Sequence, residues 1–276
     1  MPHGGARFLP LVLAALLLAM PHAARAENEY MGVLYPVRDL TLSLGVGGVV
    51  SSMDVRIGAR VQAGQQLLKL DAGIQETEVQ RRRAIRDDDS GLKAERQRLE
   101  ILERLYEDAE TLFTGVGSIS GQEVSQLRIE YVTAAGRVEQ LESEKRRHEL
   151  EYEMARRERD QRILLAPIDG VITELDLDVG EWTDPGDHAM RLVDASTVVL
   201  RVSVSAGAAY RMEQGMEIPV HVVGLPGGEP RTGEVTFVSP VADAASGLVE
   251  VRITLENDDL SIRPGTRASI VLENRS

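Results

Sequence analysis

The spacing of apolar residues changes character twice along the chain. From Gly48 to Leu70 (GVVSSMDVRIGARVQAGQQLLKL) positions such as Val55 and Ile57 alternate with polar neighbours, the period of a half-buried strand. From about Ile74 to Arg162 there is no proline, Glu, Arg, Gln and Leu abound, and the spacing becomes 3-4, which predicts helix. From Gly170 alternation returns (GVITELDLDVGEWTDPGDHAMRL). It continues in short apolar runs at 198–204, 218–223, 233–238, 248–255 and 268–272, with a further strand expected at 31–35. Turn signals at 224–228, at Ser246-Gly247 and at Arg263-Pro264-Gly265 separate the late runs and predict a small antiparallel β-barrel.

The two alternating segments are copies of one pattern. A single offset lays Gly48, Gly58 and Gly64 on Gly170, Gly180 and Gly186. Asp54 then falls on Asp176, Val55 on Leu177, Ile57 on Val179 and Leu70 on Leu192. One copy is too short to bury its apolar face alone, so two packed face to face predict a flattened β-sandwich, with the glycines at turns. These residues resemble the biotinyl/lipoyl domain. In a carrier of that kind a modified lysine sits on a tight turn between the halves. Here the first half ends at Lys69-Leu70-Asp71 and the second opens at Leu164-Leu165-Ala166-Pro167, with the whole helical stretch between. No covalent cofactor is expected.

Inside the helical stretch, Ile85, Asp88, Leu92, Glu95, Leu99, Leu102, Tyr106, Ala109 and Phe113 follow one 3-4 seam, weakened at Asp88 and Glu95. Val124, Leu127, Tyr131, Ala134, Val138, Leu141, Lys145, His148, Tyr152 and Ala155 follow a second. Gly115 is expected to end the first helix in the left-handed conformation, and Ser120 with Glu123 forms a capping box for the next. So short a loop predicts an antiparallel coiled-coil hairpin of two helices of roughly 40 residues each, a rod of roughly 60 Å. Folding there sets Leu99 beside Val138, Leu102 beside Ala134, Tyr106 beside Tyr131, Ala109 beside Leu127 and Phe113 beside Val124. Flanking charges would then pair as Asp88–Arg147, Lys93–Glu142, Arg96–Glu139, Arg104–Glu130 and Glu107–Arg128. The runs 81–83 (Arg) and 87–89 (Asp) read as solvated helix faces.

Charge and the N-terminus narrow the setting. Arg7, an apolar run at 8–20 and Ala24-Arg25-Ala26 read as an export leader cleaved after Ala26; the alternative is an uncleaved membrane anchor. The chain has 31 basic and 44 acidic residues, and both bases of the leader leave with it, so no nucleic-acid partner is expected. With no cysteine there is no lipid attachment through Cys, no disulfide and no thiolate. Nucleophile elbow, phosphate loop and HExxH are absent from the sequence, so no catalytic residues are assigned. After the leader, histidines occur only at 148, 188 and 221, without ligand spacing. Met212 and Met216 lie one helical turn apart and are expected to pack rather than bind metal.

The order of these parts, an α+β chain with a split lipoyl-like sandwich, a helical insertion and a late barrel, resembles the periplasmic adaptor, or HlyD-like membrane-fusion, family. Gly58-Ala59-Arg60-Val61-Gln62-Ala63-Gly64-Gln65, Ala166-Pro167-Ile168-Asp169-Gly170-Val171 and Leu260-Ser261-Ile262-Arg263-Pro264-Gly265-Thr266 are similar to the family's motifs. The resemblance implies a leader at 1–26, a barrel strand at 27–44, sandwich halves at 45–71 and 164–194, the hairpin at 72–163 and the barrel at 195–276. It implies a non-catalytic periplasmic subunit of a tripartite efflux or export pump, held at the inner membrane by its partner. The partners implied are an inner-membrane transporter of resistance-nodulation-division, ABC or major-facilitator class, an outer-membrane channel, and further copies in a homo-oligomeric ring. Many relatives carry a membrane-proximal domain after the barrel; either that domain is absent here or the inner-membrane partner is of another class, such as an ABC or major-facilitator transporter, and the Arg-Leu pattern of some relatives' tips is incomplete here. Channel contact is expected at Leu112, Val116, Gly117, Ser118, Ile119 and Ser120, with Val116 and Ile119 exposed beyond the seam. Transporter contact is expected at Leu225, Pro226, Asp243 and Ser246. A metal-binding adaptor or metallochaperone and a transporter-independent spacer are the alternatives.

Overall fold

The computed structural model describes residues 27–115 and 118–273; the leader and its expected cleavage site lie outside the described residues. In chain order come β1 (Glu27–Ser43), β2 (Gly48–Met53), β3 (Arg60–Val61), β4 (Gln66–Leu70), α1 (Gly73–Asp87), α2 (Ser90–Gly115) and α3 (Gly121–Asp160). There follow β5 (Ile163–Leu165), β6 (Gly170–Leu175), β7 (Trp182–Thr183), β8 (His188–Ser205), α4 (Ala206–Ala209), β9 (Glu217–Val222), β10 (Arg231–Ala242), β11 (Leu248–Glu256) and β12 (Arg267–Glu273). Residues up to Val37 and from Ala195 form one compact unit, and Arg38–Asp194 a second.

In the Arg38–Asp194 unit the two glycine-spaced segments fold as copies down to single hydrogen bonds. Val50, Ser52 and Met53 of β2 pair with Leu70, Lys69 and Leu68 of β4. Ile172, Glu174 and Leu175 of β6 pair with Leu192, Arg191 and Met190 of β8, and both ladders slip register at the same step. Between copies, the Gly58 amide donates to the Ile172 carbonyl and the Gly180 amide to the Val50 carbonyl, each at 2.8 Å. Gly58, Gly64, Gly180 and Gly186 hold φ of 83°, 82°, 94° and 88°, where a β-carbon is disfavoured. Val50, Leu67, Leu68 and Leu70 share one buried core with Ile172, Ala189, Met190 and Leu192. The likeness begins earlier than the glycines show. Leu42 and Leu44 of the first copy, assigned from sequence to the barrel strand, pack in this core, as do Leu164 and Ala166 of the second. Gly186 donates to the Leu44 carbonyl at 2.9 Å as Gly64 does to that of Ala166 at 2.8 Å.

Between the copies, α1 and α2 both pack on α3. Their cross-partners run in opposite directions, from Arg82 with Glu151 through Arg96 with Glu142 to Tyr106 with Tyr131. The first arm is not one helix. Asp88 adopts an extended ψ of 96°, and its carboxylate accepts the Ser90 amide (3.2 Å) and hydroxyl (2.6 Å). An aspartate run competes for backbone amides more than it propagates helix, so 87–89 is a break rather than a solvated face. Val79, Leu92, Leu102 and Ala109 are buried on the first arm, and Ala134, Val138 and Ala155 on α3. Tyr106 and Tyr131 stack with centroids 5.9 Å apart, which is the layer expected from sequence. The flanking charges choose other partners: Arg96 takes Glu142 (2.6 Å), Lys93 takes Asp89 (2.9 Å) and Arg104 takes Glu100 (3.5 Å). The arginine run is tied down too, since Arg81 and Arg82 both bind Glu78 and Arg82 also reaches Glu151.

In the other unit the strand order β1-β12-β9-β10-β11-β8 closes by pairing β8 with β1. Gly32 makes the closure possible: a β-carbon there would lie 2.2 Å from the Arg201 carbonyl oxygen. Leu34, Val198, Leu200, Val220, Ile253 and Ile270 fill the interior. α4, unexpected from sequence, is capped by Ser205, whose hydroxyl accepts the Ala208 amide at 3.3 Å. Buried Asn257 donates to the carbonyls of Ala195 (2.7 Å) and Ile262 (2.9 Å) and accepts the Ile262 amide (2.8 Å), pinning a turn in which Leu260 takes φ 51°.

Candidate functional site

The far end of the helical arms holds the first group of candidate residues. α2 stays helical through Gly115, which does not enter the left-handed region. α3 starts behind Ser120, whose hydroxyl accepts the Glu123 amide at 3.2 Å, the expected cap. Thr111 and Thr114 turn their hydroxyls back to the carbonyls of Glu107 and Glu110, each at 2.9 Å. Leu112 is 46% exposed and Phe113 47%. The Phe113 ring stands over Gly121, 3.6 Å from where a β-carbon would be. Ser118 and Ser120 are exposed, whereas Ile119 is half-buried; Val116 and Gly117 lie outside the described residues. The expectation that Ile119 projects freely is therefore corrected. Sequence reasoning spent Phe113 on closing the seam, but its facing position is a glycine, and that absent side chain is the signal that its ring stays partly bare.

Acidic groups surround this end. Tyr106 donates to Glu110 at 3.1 Å, and that bond holds its phenol above the usual range. No basic residue lies in the last turn of α2, and Glu123 opens α3, where the helix dipole favours an acid. The chemistry available is a small apolar face, Leu112 and Phe113, rimmed by hydroxyls and carboxylates.

The barrel candidates do not form one site. Antiparallel registers from Glu27–Glu273 to Val33–Arg267 and from Leu248–Ser205 to Glu256–Thr197 define two ends of the strand circuit. The 243–247 turn lies at the end that carries α4, and the 223–230 loop at the other. Leu225 packs against the core, so only Pro226 of that pair is exposed. Asp243 and Ser246 build their own turn. The Asp243 carboxylate accepts the Ser246 hydroxyl (2.7 Å) and amide (2.8 Å), and these bonds keep it below the usual carboxylate range. Gly247 follows with φ 68°.

Nothing in these sites gathers metal ligands. Among the described residues no three His, Asp or Glu side chains converge. Met212 belongs to the barrel core, while Met216 is exposed. Both line a pocket of about 380 Å³ with Arg211, Ile218, Val271 and Leu272, a mainly apolar wall. No helix of the described residues is long and apolar enough to cross a membrane.

Known proteins give this architecture a family. Residues 38–195 match the profile of the barrel-sandwich hybrid domain of RND membrane-fusion proteins, and residues 197–276 that of the CusB-like β-barrel domain. The chain belongs to the membrane-fusion, or periplasmic adaptor, protein family. The nodulation protein NolF of Rhizobium meliloti is 28% identical over 246 residues, covering 87% of this chain and 61% of NolF. An uncharacterised Haemophilus influenzae protein is 22% identical over 228 residues, covering 83% of this chain and 52% of that one. The chain thus spans between half and two thirds of the length of these curated relatives. The crystal structure of MacA from Actinobacillus actinomycetemcomitans superposes with a TM-score of 0.71 at 16% identity, over 90% of this chain and 79% of that one, a likeness of fold.

Proposed function

We propose that this chain is the periplasmic adaptor subunit of a tripartite efflux or export pump, linking an inner-membrane transporter to an outer-membrane channel without chemistry of its own. One observation carries the reading. Two antiparallel helical arms, α1 with α2 against α3, are inserted between the two copies of a β-unit, and they end in apolar side chains, Leu112 and Phe113, that the fold leaves about half exposed. The helical region then works as a coiled-coil hairpin projecting from the split sandwich. Leu112, Phe113 and the Ser118–Ser120 turn contact the channel. Each contact is small, and several copies in a ring multiply it through avidity. The matched profiles are those of RND membrane-fusion proteins, which favours a resistance-nodulation-division transporter over the ABC and major-facilitator classes. A transporter docking on one end of the barrel touches either Pro226 or the Asp243–Ser246 turn, since these lie at opposite ends. The leader directs export to the periplasm and is cleaved after Ala26. Affinity purification of the tagged chain from gently solubilised membranes should recover an inner-membrane transporter with more than one copy of the chain. Recovery of the chain without a transporter overturns the reading.

A further inference from the structure

In the barrel wall the pairing of β9 with β12 stops short, and a proline is the reason. The two strands pair at Val222–Ala268, His221–Ser269 and Val220–Ile270, and the register goes no further. Just past β9, the Val223 amide donates to the Arg267 carbonyl at 2.9 Å, so the odd-numbered residues of β9 turn their backbone toward β12. Pro219 is the next odd residue in that direction and has no N–H to offer. Each strand keeps its other neighbour. Ile218 and Pro219 stay paired with Gly233 and Thr232 of β10, and Val271 and Leu272 with Glu29 and Asn28 of β1. Past Ile270 the two strands are therefore held from outside and not by each other.

The pocket of about 380 Å³ lies at that parting. Ile218 and Pro219 line one side and Val271 and Leu272 the other, with buried Met212 joining them from the α4 side. Backbone bonds fix its rim. Gly215 donates to the Val235 carbonyl and Val235 to that of Met216, each at 2.8 Å, and the Arg211 amide donates to the Ala208 carbonyl at 3.1 Å. The wall is thus formed before any ligand arrives, and its volume falls among small-molecule sites, about 300–1,000 Å³. Two charged residues line it, Arg211 and Glu217. Glu217 is set in register with Glu234 and also lines the neighbouring groove with Thr254 and Glu256. Among the described residues Arg211 has no oppositely charged group within 4 Å, so it is the uncompensated charge of the pocket.

We infer that this pocket binds an anionic amphiphile, one alkyl chain lying between the parted ends of β9 and β12 and a carboxylate or phosphate head at Arg211. An apolar cleft alone would accept any oily group. The unpaired guanidinium selects the head, because its planar fork offers a carboxylate or phosphate two parallel N–H donors. The carboxylates of the adjacent groove repel the same head and leave Arg211 as its seat. The inference goes beyond the adaptor reading and does not rest on it, since neither a transporter nor a channel enters it.

Two probes with one chain and opposite heads test it. Calorimetric titration of the exported protein with dodecanoate, kept below its micelle concentration, should show saturable binding of one molecule per chain. Dodecyltrimethylammonium should bind at least about tenfold more weakly, as it forfeits the charge-assisted bonds to Arg211. Arg211→Glu, a change at an exposed position, should reverse that preference. Val271→Glu places a carboxylate in the apolar wall and should lower dodecanoate affinity by at least about tenfold. Such a head comes either from a diffusible amphiphile or from a bilayer lipid, and co-flotation with phosphatidylglycerol vesicles, against phosphatidylcholine vesicles, separates the two. Flotation with phosphatidylglycerol alone, lost in Arg211→Glu, assigns a membrane lipid. Dodecanoate binding without flotation assigns a diffusible one. Binding to neither, equal affinity for the two dodecyl probes, or a preference unchanged in Arg211→Glu overturns the site.

Discussion

The inner and outer halves of the helical arms are held by different forces, although α3 runs unbroken through both. Near the sandwich, charge dominates. Glu78 binds Arg81 and Arg82, Arg82 crosses to Glu151, and Arg86 lies 4.0 Å over the Tyr152 ring. Beyond the break at Asp88, apolar layers take over: Leu92, Leu102 and Ala109 are buried on α2 and Ala134 and Val138 on α3, and Tyr106 stacks on Tyr131. Exposed ion pairs contribute about 0–1 kcal/mol each, whereas burying one leucine contributes about 1.5–3 kcal/mol. The half farthest from the sandwich therefore buries more apolar side chain than the inner half, where Val79 and Ala155 are buried. That leaves Leu112 and Phe113 as apolar surface in excess of what the arms need to fold.

Four perturbations separate these regions. Leu102→Ala opens a cavity in the outer seam and should destabilise the arms by about 2–4 kcal/mol, read as loss of the helical circular-dichroism signal in urea. Tyr152→Ala at the inner end removes the ring beneath Arg86 and should cost about 1–2 kcal/mol by the same measurement. A cost there equal to that of Leu102→Ala would erase the contrast.

Acid should weaken ion pairs in both halves of the arms. The Glu78 carboxyl is held at about 2, down from 4.5, by hydrogen bonds from Arg81 and then Arg82. A carboxyl lowered in the folded state stabilises above its unfolded value, and that contribution is lost as pH falls from about 4.5 toward 2. Asp89 is lowered in the same sense by Lys93, and Glu142 by Arg96. Helical melting temperature should fall across that window, and Glu78→Gln should flatten part of the fall. An unchanged pH profile in Glu78→Gln contradicts the assignment. The smallest effect is expected at the tip: Leu112→Asp with Phe113→Asp should change stability by no more than about 0.5 kcal/mol.

The sandwich was legible because matched glycines mark matched turns. Its first strand was not, since Leu44 and Ala166 share a burial site but neither size nor a glycine. The seam was legible to the Tyr106–Tyr131 layer, but periodicity runs across the break at 87–89 without registering it. There the signal is chemical, an aspartate that caps Ser90. Charge pairing across the seam was misread because long side chains select among several acids a turn apart, and Arg96 reaches Glu142 rather than Glu139. At the tip, exposure could not be counted from seam position alone: Ile119 is half-buried, and Phe113 stands over Gly121. In the barrel, turn residues look the same whether they build the turn, as Asp243 and Ser246 do, or await a partner.

The claim that the outer end of the arms is a docking surface has one direct measurement. Ile74, at the inner end, is 82% exposed and apolar, more so than Leu112 at the tip. A photoreactive amino acid placed at each position in turn, in cells, compares the two ends under identical conditions. Leu112 should crosslink to an outer-membrane channel protein and Ile74 should not. A channel adduct at Ile74 with none at Leu112 would contradict the account.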